Sequence, residues 1–484
     1  MAHLVQPASS DPAPEIDLDR VHRIHVLGIG GTGMGAFAGL LKEAGYEVTG
    51  SDEAVYPPMS EMLAAWGITP FQGYSPDNLE RARPDLVVVG NVIRRVNPEA
   101  TAVRERGLPQ LSFPQALGEI FLAKRQSCVV AGTHGKTTSS ALWTQLLARA
   151  GRDPGALIGG VALDLGGNFR LGKGAQFVVE GDEYDTAYFD KGPKFLHYRP
   201  EVAILTSVEF DHADIYRDMA HYESAFARFV ALLPEHGHLA VGSRYPNAVT
   251  LAEDAACGVE TYGLEHGDLV AHGLSFDEQG AHFTALRRGK EIGRFTLGVW
   301  GRHNVENALG TISACLHLGL SAEEIGQGLR SFQGVRRRQQ LLGSPKGIAV
   351  VDDFAHHPTA VRETIAAVRA RFPGRRLLAA FEPRSNTSRR NIHQVQYAHA
   401  FEGAALALLA EPHAAAQIAE EERLDPRRLA GELAAAGVPA KALPTADEIA
   451  QALVKEAKKG DVILLMSNGA FGGLAKKLLA ALGG

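Results

Sequence analysis

The stretch Gly132-Thr133-His134-Gly135-Lys136-Thr137-Thr138 decides the fold prediction for the middle of this chain. It follows an apolar run at residues 128–131, which is typical of a buried strand, and it precedes a helical pattern. Glycines let successive backbone N–H groups turn toward phosphate oxygens, and the helix start adds a positive end. The stretch therefore predicts a phosphate-binding loop in an α/β domain, with Lys136 on the β- and γ-phosphates and the Thr137 hydroxyl on Mg²⁺.

The same order of strand, glycine loop and helix recurs on both sides of this loop. This alternation predicts an α/β protein with mostly parallel sheets, in three successive blocks. The predicted strands outside the phosphate-loop region are residues 24–27, 47–49, 86–89, 177–179, 202–205, 348–351, 376–380, 405–409 and 462–466.

Composition restricts the class of protein. The 484 residues are 45% hydrophobic and 21% charged, and the net charge of −6 argues against a nucleic-acid or anionic-membrane surface. The three cysteines, Cys128, Cys257 and Cys315, form no metal-type pair and favour a reducing compartment. Residues 1–20 lack the features of a signal peptide and are predicted to be a flexible tail. No apolar run is long enough to span a bilayer, so a cytoplasmic location is expected.

Two strand ends after the phosphate loop carry further candidate ligands. Glu180 directly follows the predicted strand at 177–179, and ligands of open α/β sheets sit outside such carboxyl ends. Glu180 is therefore a candidate for Mg²⁺, although an acidic solvated turn would have the same sequence. Asp211 and His212 follow the strand at 202–205. His212 is a second candidate metal or phosphate ligand, but a structural histidine and a turn-capping Asp211 are equally compatible.

A second glycine loop lies near the start of the chain. Gly28, Gly30 and Gly33 match the GxGxxG spacing, and Asp52 follows the next predicted strand. Alone, this pattern predicts NAD or FAD, and hence a dinucleotide-dependent oxidoreductase or a non-catalytic nucleotide-binding regulator. Lys136, Glu180 and His212 argue against the oxidoreductase, because hydride transfer needs none of them.

Six motifs in order resemble the ATP-dependent muramate (Mur) ligases. Besides the phosphate loop, Glu180 to Asp185 and Asp211-His212, they include Gly301-Arg302-His303-Asn304-Val305-Glu306-Asn307-Ala308. The last two are Phe332-Gln333-Gly334-Val335-Arg336-Arg337-Arg338 and Asp352-Asp353-Phe354-Ala355-His356-His357-Pro358-Thr359. The resemblance covers nearly the whole chain after the tail.

The resemblance implies a three-domain architecture and an acyl-phosphate mechanism. Rossmann-like domains at residues 21–125, for a UDP-sugar, and 339–484, for closure over the nucleotide, would flank a central ATPase domain at 126–338. ATP would phosphorylate a substrate carboxylate, and an amine would then attack the acyl-phosphate.

The resemblance also implies roles for particular residues. The phosphates would be served by Lys136 and Thr137, and Mg²⁺ by Thr137, Glu180 and His212. The nucleotide would be approached by His303, Asn304, Asn307 and Asp353. Arg338 is the best match to the family's arginine at the phosphates, with Arg337 second.

Within the family, the glycine loop is similar to the branch that uses UDP-N-acetylmuramate. The resemblance implies that this substrate binds at Gly30, Gly31, Gly33, Met34, Ser51 and Asp52. One member of the branch adds L-alanine, and another adds the tripeptide L-alanyl-γ-D-glutamyl-meso-diaminopimelate during peptidoglycan recycling.

The stretches Glu382-Pro383-Arg384-Ser385-Asn386-Thr387 and Met466-Ser467-Asn468-Gly469 resemble the tripeptide-adding type. A tripeptide brings extra carboxylates, which Arg384 is suited to clamp, with Ser385 and Asn386 beside it. The sequence therefore favours the tripeptide and leaves alanine as the alternative.

Overall fold

The computed structural model describes residues 16–57 and 59–483, so the larger part of the predicted tail lies outside the described residues. The described chain separates into two compact units. The first comprises residues up to 208, then 220–262 and 310–328. The second comprises residues 209–219, 263–309 and 329 onward.

The first part of unit one is a doubly wound parallel sheet. Its five strands run in the order β3-β2-β1-β4-β5, all parallel, which confirms the Rossmann-like prediction. Helix α1 packs closely against α2, because a Cβ on Gly35 of α1 would fall 2.2 Å from the sulfur of Met59 in α2. The elements are β1 Arg23–Leu27, α1 Thr32–Glu43, β2 Glu47–Asp52, α2 Met59–Ala65, β3 Phe71–Gln72, α3 Pro76–Ala82, β4 Leu86–Val89, α4 Pro98–Glu105, β5 Gln110–Ser112 and α5 Phe113–Leu117.

A second sheet completes unit one and carries the phosphate loop. Its strands run β14-β13-β12-β6-β9-β7-β8, parallel except that β8 is antiparallel to β7. Strands β10 and β11 form a separate antiparallel hairpin. The elements are β6 Gln126–Ala131, α6 Lys136–Arg149, β7 Gly155–Ala162, β8 Gly167–Arg170, β9 Gln176–Gly181, β10 Asp185–Ala187, β11 Asp190–Pro193, β12 Val202–Leu205, α7 Met219–Val230, β13 His238–Gly242, α8 Pro246–Ala252 and β14 Gly258–Gly263.

Unit two contains a three-stranded antiparallel meander and a six-stranded sheet. The sheet order is β18-β19-β23-β20-β21-β22, with only β18 antiparallel, and apolar clusters cover both of its faces. Helices α9 and α10 contribute residues to both units. The elements are β15 Leu269–Asp277, β16 Gly280–Arg287, β17 Lys290–Leu297, α9 Arg302–His317, α10 Ala322–Ser331, β18 Gln340–Gly343, β19 Ala349–Asp353, α11 Pro358–Arg371, β20 Leu377–Phe381, α12 Gln394–Tyr397, β21 Leu406–Ala410, α13 Pro426–Ala435, β22 Ala440–Leu443, α14 Ala446–Glu456, β23 Val462–Met466 and α15 Leu474–Leu482.

The predicted strands are all present, with ends shifted by a few residues. Most pairings are parallel as expected, but the antiparallel meander β15–β17 was not predicted. Within the described residues, no helix combines the length and apolar character needed to cross a membrane.

Candidate functional site

The phosphate loop joins β6 to α6 in unit one, and hydrogen bonds to the segment after β12 hold it in place. Gly132 and Gly135 both have positive φ, +129° and +80°, which suits glycine. The Thr133 N–H donates to the Ser207 carbonyl at 3.0 Å, and the His134 N–H to the Ser207 hydroxyl at 2.9 Å. A Cβ on Gly132 would fall 2.2 Å from the Thr206 hydroxyl, so only glycine fits there. The loop shape is therefore fixed by Thr206 and Ser207.

Three predicted residues meet at the end of this loop. The Thr137 hydroxyl donates to Glu180 Oε1 at 2.9 Å, and the Gly159 N–H donates to Glu180 Oε2 at 2.8 Å. Lys136 Nζ donates to the Gly132 carbonyl at 2.6 Å and thereby bends back over the loop. The hydroxyl and the carboxylate are hard oxygen donors, which fit the coordination preference of Mg²⁺.

Burial and charge act together on these groups. Burial works to lower the pKa of Lys136, but Glu183 and Asp182 outweigh it, so the pKa is raised and the ammonium stays charged. Burial and the charge of Asp182 raise the pKa of Glu180, while Lys136 opposes the shift. A carboxylate of this kind gains from a bound cation, because a cation offsets the burial of negative charge.

The N-terminal glycine loop of unit one is fixed by hydrogen bonds to Ser51 and Asp52, which are themselves predicted to bind the substrate. The Gly30 N–H donates to Asp52 Oδ2 at 2.8 Å, and the Gly28 N–H to the Ser51 carbonyl at 2.9 Å. Gly31 caps α1, and Met34 is buried in its first turn. A Cβ on Gly33 would meet nothing within 4 Å among the described residues, so the helix start leaves room for an approaching group.

His212 belongs to unit two, where it adjoins a buried carboxylate. It has a left-handed φ of +55°, and its backbone N–H donates to Asp211 Oδ1 at 2.7 Å. Burial works to raise the pKa of Asp211, but His212, His356 and His357 outweigh it and hold that pKa well below its ordinary value. Asp211 is thus an ionised centre among three imidazoles.

Asp353 organises the loop at the end of β19. Its carboxylate accepts the N–H groups of Gln339 and Ala355, both at 2.7 Å. Burial raises its pKa, and the guanidinium of Arg338 opposes the rise. Arg338 also stacks 4.8 Å above the ring of Phe354.

Arg337 is engaged differently from Arg338. Its guanidinium bonds Asp352 at 3.1 Å and donates to the carbonyls of Ser467 and Gly469 at 2.6 and 2.7 Å. Arg337 therefore ties the chain before β18 to the loop after β23. The assignment of Arg338, with Arg337 second, to the phosphates stays a prediction.

The predicted nucleotide-side residues of α9 lie together in unit two. The Asn304 amide donates to the Trp300 carbonyl at 2.7 Å, and Asn307 lies one turn later, 3.4 Å from Asn304. The His303 ring lies 3.1 Å from the amide of Gln339. Because Gln339 binds Asp353, this group connects the start of α9 to the β19 loop.

Arg384 follows the end of β20, and its half-buried side chain packs against Gly469. A Cβ on Gly469 would fall 1.9 Å from Arg384 Nε, so glycine is needed for the contact. Glu382 lies 3.7 Å from the guanidinium and accepts the Ser467 hydroxyl at 2.5 Å. The stretches at residues 382–387 and 466–469, which resemble the tripeptide-adding type, therefore lie side by side.

Ser385 and Asn386 shape the turn beyond Arg384. The Ser385 hydroxyl donates to that of Ser388 at 2.8 Å. The Asn386 amide donates to Asp214 at 2.8 Å and accepts from Arg389 at 2.6 Å, so both of its ends bond within the protein. A substrate-binding role for these two residues stays a prediction.

Sequence reasoning missed four polar residues that contact the phosphate loop, Thr206, Ser207, Glu183 and Tyr222, and also the buried Asn168. Of these, Asn168 is 1% exposed, and neither amide atom has a hydrogen-bond partner among the described residues. It lies on β8 opposite the irregular stretch of β7 that contains Gly159. No sequence motif indicates this burial, because one asparagine in a glycine-rich turn resembles any loop.

Comparison with known proteins agrees with this arrangement of loops. Residues 23–125 match the Mur ligase family, catalytic domain; residues 130–315 match the Mur ligase middle domain; and residues 337–469 match the Mur ligase, glutamate ligase domain. The chain belongs to the Mur ligase family.

Particular relatives cover nearly the whole chain. An Escherichia coli (strain K12) protein, UDP-N-acetylmuramate--L-alanyl-gamma-D-glutamyl-meso-2,6-diaminoheptandioate ligase, is 40% identical over 469 residues, covering 95% of this chain and 98% of its own. A UDP-N-acetylmuramate--L-alanine ligase from Acetivibrio thermocellus is 33% identical, covering 94% and 95%. The crystal structure of a murein peptide ligase from Psychrobacter arcticus 273-4 matches with a TM-score of 0.71 and 35% identity, covering 96% and 99%.

Proposed function

We propose that this protein is an ATP- and Mg²⁺-dependent ligase that joins UDP-N-acetylmuramate to the tripeptide L-alanyl-γ-D-glutamyl-meso-diaminopimelate. The observation that carries the proposal is the nearly full-length 40% identity to a ligase named for that reaction. The meeting of Lys136, Thr137 and Glu180 at one loop supports the ATP-dependent step. The reaction belongs to peptidoglycan recycling in the cytoplasm.

The first chemical step is transfer of the γ-phosphoryl group to the substrate carboxylate. A carboxylate is a poor electrophile, and phosphorylation supplies it with a leaving group. Lys136 neutralises charge on the β- and γ-phosphates, which is the main protein contribution to such a transfer. Thr137 and Glu180 would hold Mg²⁺, with His212 as the further ligand that the family resemblance implies, and the ion would supply additional charge neutralisation.

The second step is attack by the amine of the tripeptide on the acyl-phosphate. Arg338 stabilises the phosphate that leaves, and Asp353 fixes the loop next to that arginine. Asn304 and Asn307 contact the nucleotide. Arg384 clamps a carboxylate of the tripeptide, since its fork of donors matches a carboxylate in two-point geometry.

The glycine loop of the first domain takes the sugar nucleotide. Gly30, Gly31, Gly33 and Met34 surround the diphosphate at the start of α1, where backbone N–H groups favour an anion. Ser51 and Asp52 face the uridine end. This assignment replaces the NAD- or FAD-dependent oxidoreductase that the glycine spacing alone suggests, and with it the non-catalytic regulator.

An alanine-adding ligase is the second candidate, favoured by the 33% identity to the Acetivibrio thermocellus enzyme. The two candidates differ only in the amine. ADP release from ATP and Mg²⁺, with UDP-N-acetylmuramate and either L-alanine or the tripeptide, separates them. Turnover with the tripeptide but not with L-alanine supports the proposal, and comparable turnover with L-alanine overturns it.

A further inference from the structure

Lys136, the lysine of the phosphate loop, is held by a carboxylate that the proposed mechanism does not use. Its Nζ donates to Glu183 Oε2 at 2.9 Å and to Oε1 at 3.2 Å. The Glu183 side chain is fully buried, and that of Lys136 is 10% exposed. The ammonium therefore sits between the Gly132 carbonyl and Glu183.

Tyr222 of α7 fixes Glu183 in turn. Its hydroxyl donates to Glu183 Oε1 at 3.1 Å and lies 3.1 Å from the Thr133 hydroxyl. Because the single phenolic proton goes to Glu183, the Thr133 hydroxyl is the donor in the second bond. The ring of Tyr222 is fully buried and packs edge-on against Phe226 at 5.1 Å. The network thus starts and ends on the phosphate loop, at Thr133 and Lys136.

The backbone on both sides of Glu183 is also anchored. Strand β9 ends at Gly181, and the β10–β11 hairpin begins at Asp185. That hairpin bonds to the N-terminal domain of the same unit, through Ser112 to Asp190 at 2.9 Å and Arg104 to Tyr188 at 3.0 Å. Glu183 is consequently presented by a braced turn.

Stability does not account for this network. A buried ion pair gains little over apolar residues of the same shape, because both charges lose their hydration. Lysine carries a point charge on a flexible stem and needs partners to hold one position. Phosphoryl transfer depends on positioning and on preorganised charge, so a fixed ammonium has direct catalytic value.

We infer that Glu183, oriented by Tyr222, is a positioning residue that holds the Lys136 ammonium in the phosphate loop for the transfer step. The inference rests on the proposed function in assigning Lys136 to the ATP phosphates. It does not depend on which amine is the second substrate. Loss of Glu183 leaves the nucleotide bound but the ammonium misplaced.

The test uses the full-length protein with three variants. Glu183→Gln removes the charge at constant size, and Tyr222→Phe removes one hydroxyl. Tyr46→Phe is the matched control, since this half-buried tyrosine lies in the turn between α1 and β2, outside the network around Glu183. The readouts are kcat and KM for ATP by ADP release, the dissociation constant of MgADP by calorimetry, and the melting temperature.

Glu183→Gln is expected to lower kcat by roughly 30- to 100-fold, while the dissociation constant of MgADP changes by less than about threefold. Tyr222→Phe is expected to lower kcat by about three- to tenfold, and Tyr46→Phe by less than about twofold. Unchanged kcat in Glu183→Gln overturns the inference. So does a parallel collapse of kcat, MgADP binding and melting temperature, which marks a structural role. Failure of the proposed function is distinguishable, because it shows as a wild-type protein that releases no ADP.

Discussion

The hydroxyl of Thr137 donates to Glu180 Oε1 across 2.9 Å, which joins the phosphate loop to the end of the neighbouring strand β9. The two residues are far apart in sequence, but β6 and β9 are parallel neighbours in register, with Val130 opposite Glu180. Their carboxyl ends therefore meet at one edge of the sheet. A hydroxyl and a carboxylate at this distance can share one Mg²⁺.

Loss of either oxygen is expected to impair the use of Mg²⁺. Thr137→Ala and Glu180→Gln should each lower kcat by roughly 10²- to 10³-fold, because charge on the phosphates is then poorly neutralised. Thr137→Ser keeps the hydroxyl and serves as the control, with activity near that of the wild type. ADP release is measured over a range of Mg²⁺ concentrations. Full activity of Glu180→Gln at ordinary Mg²⁺ would contradict the metal assignment.

Arg337 and Arg338 are neighbours with different expected phenotypes. Arg337→Ala removes bonds to Asp352 and to two carbonyls, so it should lower the free energy of unfolding by about 2–3 kcal/mol. Arg338→Ala should lower kcat by roughly 10²-fold or more, because the phosphate that leaves then loses a stabilising positive charge. Urea unfolding and ADP release, measured on both variants, check the pair. A reversed pattern would make Arg337 the phosphate arginine.

Much of the fold was predictable because its strands are buried runs followed by glycine turns. The meeting of Thr137 and Glu180 was also predictable, since carboxyl ends of parallel strands share an edge. The meander β15–β17 was not, because β15 and the first half of β17 have few buried residues and the apolar alternation is confined to β16 and the end of β17. Ser207 and Tyr222 were missed for another reason: their contacts with the loop depend on tertiary packing between distant segments.

Arg384 is expected to act on the tripeptide and not on the sugar nucleotide. Arg384→Ala should raise KM for the tripeptide by about 10- to 100-fold, since a charged bond to a carboxylate contributes about 1.5–3 kcal/mol. KM for UDP-N-acetylmuramate should change by less than about twofold. Steady-state kinetics with each substrate varied in turn measures both. Equal effects on the two substrates would remove Arg384 from the tripeptide site.

The ion pair between Arg23 and Asp85 predicts an acid-dependent loss of stability in unit one. The hydrogen bond from the Arg23 side chain lowers the pKa of Asp85 from 3.8 to about 2. A lowered pKa in the folded state stabilises the protein above the unfolded pKa, and this contribution disappears as the pH falls through the folded pKa. The side chains are partly exposed, at 43% and 25%, so the contribution is small.

Asp85→Asn is therefore expected to cost about 1 kcal/mol at neutral pH, a value reduced for solvent screening. The difference from the wild type should be constant at pH 5–7 and shrink between about pH 4 and 2. Thermal unfolding of both proteins across this range measures it. A difference that grows on acidification would contradict the assignment of the pair.

The side chain of Asn168 is buried, and its amide has no hydrogen-bond partner among the described residues. A substitution at this position is therefore expected to change stability and activity in different directions. Burying an amide without partners costs about 1–3 kcal/mol, so Asn168→Leu should hold or raise the free energy of unfolding. Activity should fall, because Asn168 lies opposite the β7 stretch whose Gly159 N–H holds Glu180.

Asn78→Leu is the matched control: Asn78 is also buried, but it donates to Gly73 and Glu99, both at 3.0 Å. The control should lose about 1–3 kcal/mol of stability, since the Gly73 carbonyl and Glu99 each lose a hydrogen-bond donor. Equal destabilisation of the two variants would mean that the Asn168 amide is satisfied inside the folded protein.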